Sequence, residues 1–322
     1  MAYPGEIAGS LTTRTTAAGT EYEDFRAYVA APADDYRLVR VLVPVTVDPA
    51  VETPILSYQH GVGGNENDLF TKSRLYAIRD SWLDSGYIVI APDLGGAKWG
   101  NQAQMDAFVQ IHQWAVRSGS TGLWTIRGGM LLYGDSMGGC VTANIVRDGR
   151  VPVWGAVLNS AVLDLANQYA VGTSESSISS AYGFLEADGY DAAAVGAHDP
   201  MVNPASAFHN VPMRFYASPG DKTVWKVDNT DPFVADVLGA AHTAEKEVVT
   251  TTGGHVSSAS YIPADVNAFY ARALAGAPTG GGGGGSPSRR RVLIGGQWVA
   301  SRRFAAIGGQ WVPSRGSVVD GE

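Results

Sequence analysis

The decapeptide LLYGDSMGGC, Leu131–Cys140, contains Gly134-Asp135-Ser136-Met137-Gly138, the pattern G-x-S-x-G. An apolar run precedes it and a helical pattern follows. This context predicts a tight strand-to-helix turn with strained backbone angles at Ser136, across which a side chain at 134 or 138 would collide. Ser136 then projects above the C-terminal edge of a sheet, at the start of a helix beginning near Met137. The free N–H groups and positive partial charge of that helix end suit an oxyanion. The plain alternative is an ordinary structural turn, because a chain with 40 glycines matches the pattern by chance. The strand before it and the small residues Gly138, Gly139 and Cys140 after it favour a nucleophile.

A serine hydroxyl attacks poorly until a base takes its proton. Six histidines are available: His60, His112, His198, His209, His242 and His255. His255 sits in TTGGHVSS, between the last strand candidate and the last helix, and Gly253-Gly254 lets that loop carry an imidazole inward. The imidazole needs a carboxylate to hold its tautomer and stabilise its cation. Asp221, in SPGDKTV, follows the run MRFYAS by a short turn and precedes His255. Asp164, just after VWGAVLN, is the rival. Asp93, in APDLGG, also ends a strand, but it precedes the serine and reads as a turn cap.

Two backbone amides should receive the oxyanion. Met137 supplies one. The loop in YQHGVGGNEND, Tyr58–Asp68, supplies the other through Val62, with His60 and Gly61 ending the strand and His60 ordering the loop. Each such donor is worth about 3–4 kcal/mol in a transition state. Glycines 61, 63 and 64 also raise a phosphate cradle, but neither G-x-x-x-x-G-K-[ST] nor G-x-G-x-x-G occurs. Cys140, the other nucleophile type in the motif, falls one turn into the helix and reads as a small packing residue. No His, Cys or carboxylate cluster has metal-ligand spacing, so neither metal nor cofactor is expected.

These residues need a frame. Short apolar runs recur at Arg37–Val45, Pro54–His60, Gly86–Pro92, Met130–Gly134, Val153–Asn159, Met213–Ser218 and Lys246–Thr251. The first alternates and predicts an outer antiparallel strand. The third is continuous and bounded by Gly and Pro, as for a strand buried on both faces. Helical patterns lie between them at Leu69–Ser85, Asn101–Ser118, Met137–Arg147 and Ala264–Ala275. The alternation predicts a mainly parallel sheet with helices on both faces, an α/β fold. Leu163–Phe208 breaks the rhythm and predicts a partly helical, cap-like insertion over one edge of the sheet, of a length usually reserved for functional covers.

His60-Gly61, Gly134-Asp135-Ser136-Met137-Gly138-Gly139, Asp221 and His255, in that order and at those strand ends, resemble the α/β-hydrolase superfamily in its esterase, lipase and serine-peptidase branches. The resemblance covers roughly residues 35–275. It implies an eight-stranded, mostly parallel sheet and a Ser-His-Asp mechanism with Ser136, His255 and Asp221 in those roles. It does not name a substrate, since the superfamily hosts many.

Composition sets the remaining bounds. At 322 residues with 45% hydrophobic and 17% charged content, the chain reads as globular. A body of about 275 residues buries roughly 70–75% of its unfolded surface without staples. The single cysteine excludes an internal disulfide. No Sec-type signal and no apolar run of about 20 residues is present, so export by that route and a membrane-spanning segment are not expected. Of 23 basic and 31 acidic residues, six arginines and two acids fall after position 285, leaving 17 basic and 29 acidic residues before it. So acidic a body does not suit nucleic acid.

The C-terminal part differs in kind. The expected division is a hydrolase domain over 1–278 with the insertion 163–208, a flexible Gly-rich linker over 279–288, and a basic tail over 289–322. Ile-Gly-Gly-Gln-Trp-Val-x-Ser-Arg occurs at Ile294–Arg302 and again at Ile307–Arg315, short Trp repeats. Each alternates apolar and polar residues around a Gly-Gly turn, and two such pieces would form a small hairpin, marginal alone and ordered against a larger partner or copies of itself; the plain alternative is a disordered tail. The repeats resemble those ending minor tail proteins of bacteriophages that infect actinobacteria, some of which carry α/β-hydrolase bodies. That resemblance implies a virion location, contacts with other tail proteins through 289–322, and a host-envelope lipid or glycan ester as substrate. The expectation is a serine hydrolase, a carboxylesterase first. The alternatives are a catalytically silent receptor-binding protein of the same fold and a serine peptidase.

Overall fold

The computed structural model describes residues 3–120 and 122–277, and four short strands at 291–294, 297–300, 304–307 and 310–313. The chain divides into two compact units, Met1–Thr279 and Gly280–Glu322.

The first unit is built on one sheet. Its strands are β1 (Thr12–Thr15), β2 (Glu21–Tyr28), β3 (Leu38–Pro44), β4 (Glu52–Gln59), β5 (Ile88–Pro92), β6 (Thr125–Asp135), β7 (Val153–Asn159), β8 (Met213–Ala217) and β9 (Lys246–Thr250). They lie in the order β1-β2-β3-β5-β4-β6-β7-β8-β9. From β5 to β9 all neighbours are parallel; β1, β2 and β3 extend the sheet antiparallel. The sheet therefore has nine strands where eight were expected. The stretch Arg37–Val45 is antiparallel as predicted but not outer: it is β3, sandwiched between β2 and β5 and buried on both faces.

Period-two alternation assigns each strand's side chains to two cores. Met130 and Leu132 of β6 enter one, with Val39 and Val41 of β3 and Ile55 of β4; Leu131 and Tyr133 enter the other, with Leu42, Leu56 and Tyr58. The helices Gln102–Ser120 and Met137–Asp148 cover the first face, while Tyr76–Asp84 and Pro263–Gly276 cover the second. Both faces being covered explains why the parallel strands are continuous apolar runs.

The expected helix Leu69–Ser85 is broken into a turn of helix at Asp68–Thr71, a 3₁₀ turn at Ser73–Leu75 and the helix Tyr76–Asp84. Lys72 is extended, φ −107° and ψ 102°, and interrupts the helical path. The edges of the sheet are polar: all four residues of β1, Thr-Thr-Arg-Thr, are exposed, and β9 carries Lys246 and Glu247.

The insertion between β7 and β8 folds as short helices, Leu165–Ala170 and Glu175–Tyr182, followed by single 3₁₀ and α turns. The sheet edge it covers is the C-terminal one. Leu165, Tyr169, Ile178 and Val195 pack there with Trp99, Met137 and Cys140 as a third apolar cluster.

In the second unit, β10 (Arg291–Ile294) pairs antiparallel with β11 (Gln297–Ala300), and β12 (Phe304–Ile307) with β13 (Gln310–Pro313). Leu293 faces Trp298 across the first pair and Ala306 faces Trp311 across the second, so the two repeats share one register. The expected linker 279–288 and the arginines at 289, 290, 302, 303 and 315 lie outside the described residues.

Candidate active site

β6 ends at Asp135 and the helix Met137–Asp148 starts at once, leaving Ser136 as the whole turn. Its backbone is held at φ 56°, ψ −119°, a conformation that a non-glycine residue adopts only under constraint from its surroundings. Two glycines make the turn possible. A Cβ at Gly134 would stand 2.2 Å from the Gly138 carbonyl oxygen, and a Cβ at Gly138 would stand 2.0 Å from that of Gln59 at the end of β4. The Ser136 N–H donates to the Asn159 carbonyl at 2.9 Å, tying the turn to β7.

The His255 loop follows β9 and brings its ring to the same place. His255 Nε2 lies 2.8 Å from Ser136 Oγ, and His255 Nδ1 lies 2.7 Å from Asp221 Oδ2. Asp221, on the turn after β8, is buried, and its Oδ1 accepts from the Thr223 and Val224 amides at 2.9 and 3.0 Å. Burial pushes this carboxyl up; the hydrogen bond from His255 and those from the two amides outweigh it, so it sits below the usual carboxylate range. An ionised Asp221 accepts a hydrogen bond from the Nδ1–H, which leaves Nε2 free to accept one from the serine hydroxyl.

The loop after β4 closes the other side. A Cβ at Gly61 would lie 3.3 Å from Ser136 Cβ, a tight contact, so the glycine lets the loop backbone pass close to the serine. Among the described residues, neither the Val62 nor the Met137 amide donates a hydrogen bond. His60 is buried, with Nδ1 2.8 Å from the Gly61 carbonyl and Nε2 2.7 Å from the Asp93 carbonyl, and it fastens this loop to the one after β5.

The rejected candidates lie elsewhere. Asp164 caps the helix Leu165–Ala170 by accepting from the Asn167 amide at 2.8 Å. Asp93 lies in a turn closed by the Gly96 amide. Cys140 is fully buried, its thiol pushed up by that burial, with Sγ against the Trp99 carbonyl. His112, His198 and His209 hydrogen-bond to Gly128, Arg147 and Arg147 respectively, and none touches Ser136. His242 is buried away from the serine.

Sequence reasoning passed over Asp135. It is fully buried beside the serine and accepts from Tyr58 Oη at 3.1 Å, Asn159 Nδ2 at 2.9 Å and Tyr261 Oη at 2.7 Å. Burial raises its carboxyl above the ordinary range, against the hydrogen bonds from Tyr261 and Asn159, the charge of Arg74 and the bond from Tyr58. Tyr58, Asn159 and Tyr261 belong to β4, β7 and the segment after His255, so this one carboxyl joins three of the elements around the turn. The signal was present in the sequence as polar residues at the ends of two buried strands.

Ser136 and His255 open into a cavity of about 260 Å³, whose lining includes the apolar Trp99, Val162 and Val224 and the polar Lys72, Arg74, Gln168 and Thr173. Gln168 and Thr173 come from the insertion, which is therefore part of the cavity wall. Trp99 has φ 52°, and the insertion holds it there: its indole N–H donates to Ser177 Oγ at 3.0 Å, and its carbonyl accepts from Tyr182 Oη at 2.7 Å.

The same architecture occurs in solved structures. Esterase B from Lactobacillus rhamnosis aligns with a TM-score of 0.57 at 13% identity, over 84% of this chain and 88% of its own. An S-formylglutathione hydrolase from Agrobacterium tumefaciens aligns with a TM-score of 0.59 at 14% identity, over 82% and 99%. This is the α/β-hydrolase fold. A fluorophosphonate-binding serine hydrolase of Staphylococcus aureus shares it as well, with a TM-score of 0.56 at 15% identity over 78% and 98%. No family model and no curated protein matches the sequence. Among the described residues no helix is long and apolar enough to cross a membrane.

Proposed function

We propose that this chain is a serine hydrolase acting on carboxylic esters. The observation that carries the reading is the continuous relay from Ser136 Oγ through His255 to Asp221, with both contacts at hydrogen-bond length. Ser136 Oγ adds to the ester carbonyl carbon as its proton passes to His255 Nε2. The carbonyl oxygen takes the negative charge and receives the Val62 and Met137 amides. The tetrahedral adduct collapses, the ester C–O bond breaks, and the alcohol leaves with the proton from His255. Water then repeats the sequence on the acyl-serine and returns the free enzyme and a carboxylic acid. Asp221 remains ionised and fixes the imidazole throughout.

The repeats in 289–322 support a further part of this reading: the tail anchors the enzyme to other proteins of a phage tail, with an ester of the host envelope, lipid or glycan, as the target. Labelling with a fluorophosphonate probe, together with a p-nitrophenyl ester series and matched amides, tests the chemistry. Covalent label on Ser136 and ester turnover abolished by Ser136→Ala are expected. Preferential amide cleavage points to the peptidase branch. Unlabelled Ser136 with no turnover leaves a hydrolase-fold binding protein.

A further inference from the structure

The lining of the cavity beside Ser136 carries two cationic side chains, although the body around it is acidic, with 29 acids to 17 bases before position 286. Lys72 and Arg74 line it, at and just after the break in the helical path. Lys72 is neutralised by Asp68, with Nζ 2.5 Å from Oδ2. Arg74 is not. Its Nε donates to Tyr261 Oη at 3.1 Å, which points the guanidinium, and among the described residues its two terminal nitrogens meet no acceptor. Two parallel N–H pairs in one plane, held half-buried in a cavity, are the geometry that takes a carboxylate or phosphate in bidentate fashion. The only carboxyl group on the cavity wall is Asp135, and its oxygens are already occupied by Tyr58, Asn159 and Tyr261. The adjoining groove, which shares Val62, Thr173 and Ser174 with the cavity, adds one charge of each sign, Lys98 and Glu175.

Resting on the esterase reading above, we propose that Arg74 selects esters carrying an anionic group, a carboxylate or phosphate, close to the scissile bond. The anion sits on either the acyl or the alcohol side, and the two are separable. Arg74 is then a specificity residue: it binds substrate and takes no part in the proton relay.

The test uses the full chain and two matched pairs. On the acyl side, p-nitrophenyl butyrate is compared with mono-p-nitrophenyl glutarate. On the alcohol side, phenyl butyrate is compared with 3-carboxyphenyl butyrate. In one pair the anionic ester is expected to exceed its neutral partner in kcat/KM by about tenfold at low ionic strength, through KM, with the advantage shrinking as salt is added. Arg74→Gln should remove that ratio, and Arg74→Lys should restore part of it, since Lys keeps the charge and loses the fork. A wild-type ratio at or below one in both pairs overturns the proposal while leaving the esterase reading intact. So does a ratio that Arg74→Gln does not change. If no ester of either pair is cleaved, the esterase reading falls, and calorimetry with glutarate ion decides the anion site. Saturable binding lost in Arg74→Gln then supports it, and no binding overturns it.

Discussion

Tyr261 Oη stands 2.7 Å from Asp135 Oδ2 and 3.1 Å from Arg74 Nε, so one hydroxyl joins the residue before the serine to the wall of the cavity. It lies 126 positions from Asp135 in the chain and six after His255, and this bond is therefore a strut between the elbow and the histidine loop. Tyr261→Phe keeps the ring that stacks on Tyr133 and removes only the hydroxyl. Asp135 then loses one of three donors inside the protein, at an expected cost of about 1–3 kcal/mol. Urea unfolding measures it, and a midpoint equal to wild type would show the strut carries no load. Ester turnover should fall severalfold at the same time, because the histidine loop is less well fixed.

Asp221→Asn should lower kcat by ~10⁴-fold with the fold intact, because the amide reverses the hydrogen bond that sets the His255 tautomer. Steady-state kinetics alongside circular dichroism checks both halves. Stability gives a second readout. The native carboxyl lies below its usual range, so the unfolded chain takes up this proton first as acid is added. Its contribution is complete above the ordinary Asp range and is lost as pH falls through that range to the depressed native value. In that window Asp221→Asn should show a shallower loss of stability with acid than wild type.

Gly138→Ala should be among the most damaging single-methyl additions in the chain. The new Cβ would lie 2.0 Å from a main-chain carbonyl of β4, so the main chain of the elbow or of the sheet must shift. Overpacking of this kind typically costs about 1–3 kcal/mol. Here the expected result is a lowered thermal midpoint and loss of turnover together. Gly254→Ala, where a Cβ meets nothing, is the matched control.

The central frame was legible in the residues, and so was the trio Ser136, Asp221 and His255 as neighbours. Continuous apolar runs declared β5 to β8, and a glycine-framed serine after one of them declared the turn. What escaped had the opposite signature. β1, Thr-Thr-Arg-Thr, has no apolar residue to read. β2 places Asp24 in a buried position, where Arg14 and Arg40 neutralise it, so its alternation was masked by a charge. The break at Lys72 escaped because a polar residue fits a helix surface and an extended kink equally well. Asp135 escaped for a related reason: a carboxyl at the centre of an apolar motif makes sense only once Tyr58, Asn159 and Tyr261 are seen to converge on it.

Deleting Gly280–Glu322 should leave hydrolysis of small esters within about twofold and abolish entry into larger assemblies. The relay Ser136–His255–Asp221 lies wholly within Met1–Thr279. Turnover of p-nitrophenyl butyrate and sedimentation with assembled particles are the two measurements. A large loss of turnover would show that catalysis depends on the tail.

The two margins of the nine-stranded sheet bear on crowding. A stacked ribbon grows when a long apolar border offers its unpaired amides and carbonyls to a neighbour. Here one border is a four-residue run of threonines and an arginine, and the other is only five residues long and opens with lysine and glutamate. Neither matches that description, so the sheet is a poor template for edge-to-edge pairing between crowded copies.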